Sequence, residues 1–176
     1  MPIPRPAFLQ RLLRARSDPR EELRPLWHQV VAIARRPEWF ADYGVADTVP
    51  GRFDMITAIL SLVVLRMEAQ RELQEPSAHL IELFVEDMDG QLREFGINDV
   101  VVGKHMGRLM STLGGRMGAY REGLAAPDAE RMAQAVRRNL TLTDEAKAMS
   151  LAERMRAFAA ALRDVNDMDL LAGRIG

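Results

Sequence analysis

The chain contains no cysteine. That excludes disulfide staples, thiolate nucleophiles and cysteine-ligated metal centres, and with them the small secreted scaffolds that depend on cross-links. It also lacks an excess of charge: 24 Lys and Arg stand against 25 Asp and Glu, a formal net charge of -1. No global field therefore draws it toward nucleic acid, and any basic patch has to be local. Long hydrophobic runs are missing too. The longest, Ile56 to Leu65, is interrupted by Thr57 and Ser61 and falls far short of the roughly 20 residues of a membrane-spanning helix. The N-terminus has neither the apolar core nor the small-residue cleavage site of a secretory signal, so export is not expected. Strict polar–apolar alternation nowhere persists long enough to propose a sheet.

What is present has a helical period. With 176 residues, 48% of them hydrophobic and 28% charged, the chain has the size and balance of one globular domain. From Arg5 to Arg16 it carries four arginines and no acid, with Phe8, Leu9, Leu12 and Leu13 on one helical side. Residues 1–18 are read as a basic amphipathic segment suited to an anionic surface, or as a short helix packed on the domain, and residues 19–172 as the folded body. Ser17-Asp18-Pro19 marks a helix start. Leu23, Trp27, Val30 and Ala34 form the apolar edge of that helix, which Pro25 kinks or delays. Trp39 and Phe40 fit a short helical turn, while Tyr43-Gly44 and Pro50-Gly51 read as loop. Phe53 to Gln70 is the expected central helix. Phe53, Ile56, Leu60, Val63 and Met67 make one stripe and Met55, Ile59 and Leu62 another, and a helix apolar around most of its girth is buried.

After Glu75-Pro76-Ser77 comes an acidic amphipathic helix. Leu80, Phe84, Met88, Leu92 and Phe95 share one face, and Glu82, Glu86, Asp89 and Arg93 the other. Asp89 and Arg93, four apart with the acid first, stabilise it by roughly 0.2–0.5 kcal/mol if exposed. Gly96 is placed as a left-handed cap, and Asn98 or Asp99 as the cap of the next helix. The apolar stripe of that helix is Val102, Met106, Leu109, Leu113, Met117 and Tyr120. A second stripe is small: Gly103, Gly107, Ser111, Gly114 and Gly118. Each glycine inside a helix costs about 0.8–1.0 kcal/mol relative to alanine, so something has to offset the row. Close packing on the central helix would do so, as would a groove for another helix; the sequence leaves both open. Pro127-Asp128 opens a further helix with Met132 and Val136 inward, and Asn139 to Thr143 reads as a break. Ser150 to Glu153 reads as a capping box ahead of a face made by Leu151, Met155, Phe158, Leu162 and Val165, and Gly173 ends the ordered part. The expected fold is all-α: a single compact domain of about six or seven helices around a buried central helix.

Catalytic chemistry finds no constellation. Glu82, Glu86, Asp87 and Asp89 lack the Glu-x-x-His partners of a helical di-metal site, so no metal is expected. Gly96 to His105 departs from a phosphate loop, because six residues separate Gly96 from Gly103 and histidine follows Lys104. His28, His79 and His105 fall on separate helices without a catalytic partner. Lys104, Arg108, Arg116 and Arg121 form a basic edge without the interleaved aromatics that stack on bases, so sequence-specific nucleic-acid binding is not expected. The residues point to a helical interaction protein with no cofactor and no enzymatic activity.

Three blocks carry a family resemblance. Asp87 to Lys104 reads DMDxxLREFGxxDxxVGK and is followed by GRxxAY from Gly115 to Tyr120. Gly44 to Met55, GVADTVPGRFDM, precedes the central helix, and Arg138-Asn139 forms a third, shorter block. In this order they resemble the ubiquinol-cytochrome c chaperone family. The resemblance implies an assembly chaperone that holds newly made cytochrome b and helps build the ubiquinol-cytochrome c reductase complex. It also implies a small helical partner protein and the ribosome as partners. Peripheral membrane contact through the N-terminal segment fits a protein of the bacterial cytoplasm at the inner membrane face, or of the matrix side if the source is eukaryotic. Candidate contact residues are Arg52, Phe53 and Asp54; Asp87, Asp89 and Arg93; Gly103, Lys104, Gly107, Arg108, Gly114, Arg116, Gly118 and Tyr120. Arg52, Asp54, Arg116 and Tyr120 lie in family-like blocks on different helices and are expected to meet as a polar network. The alternatives are a helical adaptor or dimerisation protein without client-holding activity, and an enzyme that uses the acidic helix.

Overall fold

The computed structural model describes residues 18–94 and 99–176, with side-chain surroundings for residues 18–90 and 107–176. Among the described residues six α-helices have ten residues or more: α1 (Arg24–Ala34), α3 (Val49–Glu68), α4 (Gln74–Glu94), α5 (Asp99–Ala125), α6 (Glu130–Asn139) and α7 (Ala148–Asp164). Two have five, α2 (Pro37–Ala41) and α8 (Asp167–Leu171). Three 3-10 turns, Pro19–Leu23, Arg71–Leu73 and Glu145–Lys147, run directly into α1, α4 and α7. The fold is all-α, with one isolated antiparallel bridge between Val45 and Leu142.

The expected central helix is central. α3 is buried at Gly51, from Asp54 through Val64, and at Met67, and α1, α4, α5 and α7 all pack on it. A helix apolar on every side has to be covered on every side. It begins four residues earlier than its hydrophobic stripe suggests. Thr48 caps it, its hydroxyl accepting from the Gly51 N–H at 3.3 Å, and Pro50 sits in the first turn, where a missing N–H costs nothing. Pro50-Gly51, which reads as loop by composition, is thus helical. Gly51 has a packing reason to be glycine, since a Cβ there would lie 2.0 Å from the Ala46 carbonyl oxygen.

Asp18 caps the first turn by accepting from the Arg20 N–H at 3.0 Å, and Pro25 delays α1 to Arg24. Leu23, Leu26, Trp27, Val30, Ile33 and Ala34 are buried, and Trp27 meets Phe84 of α4 edge-on at 5.9 Å. Trp39 of α2 is fully buried, its indole N–H donating to the Ile33 carbonyl at 2.7 Å. The expected cap residues Gly96 and Asn98 lie outside the described residues; α5 starts at Asp99.

The capping box expected at Ser150 does not form. Asp144 instead caps the preceding 3-10 turn, accepting from the Ala146 N–H at 2.9 Å, and the chain enters α7 through it. Ser150, already inside the helix, donates back to the Lys147 carbonyl at 2.9 Å. The ordered packing also continues past Gly173. That residue adopts φ +74° beside the Pro25 carbonyl, and it turns the tail so that Ile175 is buried and accepts from the Gln29 side chain at 3.1 Å.

Candidate functional site

Asp54 sits one turn into α3 and is 6% exposed. Its Oδ1 accepts from Nη2 of Arg116, on α5, at 2.6 Å. Its Oδ2 accepts from the backbone N–H of Thr141 at 2.9 Å and from the Thr141 hydroxyl at 2.7 Å. Arg116 also donates through Nη1 to the hydroxyl of Thr57, which in turn donates to the Asp54 carbonyl at 2.9 Å. The guanidinium lies 5.9 Å from the Phe53 ring centroid, within cation–π reach. The side chains of Arg116 and Asp54 are only 12% and 9% exposed.

This arrangement clamps three segments together. Asp54 comes from α3, Arg116 from α5 and Thr141 from the strap after α6. Beside Thr141 the strap is held by Ala46 N–H to Thr141 carbonyl and Thr143 N–H to Gly44 carbonyl bonds, both 2.8 Å. Every oxygen of the carboxylate is used and the charge is balanced, as a buried ion pair requires. The chemistry is structural, holding two helices and a loop at one mutual angle.

Of the four residues expected to meet, Asp54 and Arg116 bond. Tyr120 lies in their field, fully buried, but among the described residues no group bonds its hydroxyl. Burial raises its pKa above the usual phenol value; the Arg116 charge lowers it and the Asp54 charge raises it, both by smaller amounts. Arg52 does not join. It stands two residues from Asp54, about 200° around the helix, and pairs in solvent with Asp47 at 2.7 Å. That bond raises the Arg52 pKa and lowers that of Asp47. Arg138 and Asn139 do not reach the clamp either: Arg138 is exposed, and Asn139 donates back to the Ala135 carbonyl at 2.8 Å. Thr141, which the sequence reading missed, takes that place. Thr57, whose hydroxyl accepts from Arg116, left a trace, as a hydroxyl interrupting an otherwise apolar helix face.

The glycines of α5 resolve differently. Among the described residues, a Cβ added at Gly107, Gly114, Gly115 or Gly118 would meet nothing within 4 Å, so these four do not pack on the central helix. Leu113, Met117 and Tyr120 face inward instead. Gly107, Arg108 and Gly114 are exposed, Gly118 is half-buried, and Met110 on the same stretch is 41% exposed. Gly103, Lys104 and Arg93 belong to the stretch whose side chains lie outside the described residues, and with Arg93 the expected Asp89 pair. Among the described glycines of this helix the closely packed one is Gly123, where a Cβ would lie 2.8 Å from Cα and Sδ of Met132 on α6.

Asp87 is exposed and Asp89 half-buried on α4. Asp87 lines a groove of about 480 Å³ between α1 and α4 with Trp27, His28, Val31, Glu86 and Gly90, and mixed charge borders it. Among the described residues no three His, Asp or Glu side chains stand close enough to hold a metal ion.

No curated protein matches the chain. The family model described as ubiquinol-cytochrome C chaperone matches residues 41–175. Among solved structures, the crystal structure of the Cbp3 homolog from Brucella abortus superposes with a TM-score of 0.81. It is 31% identical, over 96% of this chain and 95% of that one. The matched span takes in the Asp54–Arg116–Thr141 clamp, the open face of α5 and the docked tail, and on that ground the chain belongs to the ubiquinol-cytochrome C chaperone family.

Proposed function

We propose that this chaperone holds newly made cytochrome b during assembly of the ubiquinol-cytochrome c reductase complex, and that it does so by binding and not by catalysis. The proposed holding surface is the open glycine face of α5, flanked by Arg108 and Met110. The observation that supports it is energetic. Gly107, Gly114, Gly115 and Gly118 together weaken the helix by roughly 3–4 kcal/mol relative to alanine, and among the described residues nothing from beyond the helix's own backbone lies within 4 Å of a Cβ placed there. A face without side chains lets an apolar client helix bring its backbone close. Cytochrome b is a client made of such helices. No described helix of this chain is long and apolar enough to cross a membrane, so the client's spans would be met from the aqueous side. A small helical partner protein and the ribosome belong to this reading as further contacts, as does a working place at the inner membrane face.

The test is site-specific photocrosslinking in cells during cytochrome b synthesis. A photoreactive residue at Met110 should capture cytochrome b. The same residue at Met168 or Val49, 80% and 83% exposed apolar positions elsewhere, should not. Equal capture from all three, or capture from Met168 alone, would place the client elsewhere.

A further inference from the structure

A slot of about 400 Å³ opens between α3, α5 and α7. Its apolar walls are Leu62 and Leu65 of α3, Leu124 of α5, and Ala157 and Ala160 of α7; the other side is Arg66, Arg156 and Arg163, and none of the described residues that line it is acidic. Arg66 is 9% exposed. Its Nε donates to the Leu162 carbonyl at 3.1 Å, and its Nη2 to the Val165 carbonyl at 3.0 Å and Oδ1 of Asp167 at 2.9 Å. Its Nη1 is buried, with no partner among the described residues. Arg156 spends Nη1 on the carbonyls of Gly123 and Asp128, at 2.7 and 2.6 Å. Arg163 is exposed. Three cations against one paired carboxylate leave the slot positive.

The volume falls in the range of small-molecule sites. A protein partner would need an interface several times wider than such a slot offers. Guanidinium forks match phosphate oxygens, and the leucine and alanine walls match methylene chain. We propose that the slot seats an anionic phospholipid at a membrane surface, its phosphate against Arg163 and Arg156 and the first part of an acyl chain between α3 and α7. This site uses residues other than the proposed client face, so either can fail without the other.

The test is flotation of the full chain with phosphatidylcholine vesicles, with and without phosphatidylglycerol. Arg163→Glu reverses an exposed charge and should weaken binding to phosphatidylglycerol vesicles by about tenfold or more. Ala157→Trp, which fills the slot from an exposed helix position, should do the same, and both variants should keep the parent melting temperature. Arg11→Gln with Arg14→Gln in the N-terminal segment should leave this dependence on Arg163 in place. Equal binding to both vesicle types would overturn the proposal. So would parent-like binding by both slot variants, or binding that vanishes with the N-terminal changes while Arg163→Glu has no effect. Capture of an acidic amphipathic peptide that Arg163→Glu abolishes, with neither vesicle bound, would assign the slot to a protein partner and overturn the lipid reading.

Discussion

Arg116→Ala removes the only cation bonded to Asp54 among the described residues. The carboxylate, 9% exposed at its side chain, would keep the two neutral donors of Thr141 but lose its counter-charge, and the Thr57 hydroxyl would lose its donor. Truncating one partner of a buried pair costs about 3–5 kcal/mol because the other charge stays buried. For a chain of this size each kcal/mol moves the melting temperature by about 2–4 °C, so the loss should be roughly 6–20 °C. Thermal melts followed by circular dichroism measure it, with Arg131→Ala as control. Arg131 and Glu122 stand 3.9 Å apart at 58% and 65% exposure, and pairs so exposed contribute little. The mechanism makes a second demand. Asp54→Asn should cost less in the Arg116→Ala background than in the parent, with a coupling of about 0.5–3 kcal/mol, because the uncompensated carboxylate is what the first substitution leaves behind. A melt of Arg116→Ala indistinguishable from that of Arg131→Ala, or strictly additive costs in the cycle, would refute the clamp.

Two further outcomes follow from the same geometry. Gly114→Ala, with open space around its Cβ, should stabilise the isolated protein by about 0.5–1 kcal/mol, whereas Gly123→Ala, which drives a methyl into the Met132 backbone, should destabilise it by about 1–3 kcal/mol; urea titration of both variants separates the two environments. Asp18 should titrate at about 2, held down first by the Arg20 side-chain bond and then by the Arg20 backbone N–H. Its folded-state pKa is depressed, so its contribution to stability is present above the ordinary carboxylate range and lost as the pH falls toward about 2. A carboxyl carbon NMR titration reads that midpoint, and Arg20→Gln should raise it toward 3.8.

Local chemistry alone determined most of the helices. The stripes on α3, on α4 from Leu80 to Met88 and on α7 have the 3.6-residue period, and burying such stripes is the dominant gain available to a chain without cross-links. The family blocks were legible for the same reason that they are short: each is a local run. Contacts between distant residues left almost no trace in the sequence. Asp54 and Arg116 stand 62 residues apart, and nothing in their spacing distinguishes Arg116, which turns inward, from Arg52, which stays in water. Thr141 lies in a stretch that reads only as a break. Glycine presents the sharpest ambiguity, because the missing side chain that permits close packing also permits an empty face. Gly51 and Gly123 are packed against the Ala46 carbonyl and Met132, while Gly107, Gly114 and Gly118 face open space. That difference is set by what lies across from each residue, and only the tertiary structure supplies it.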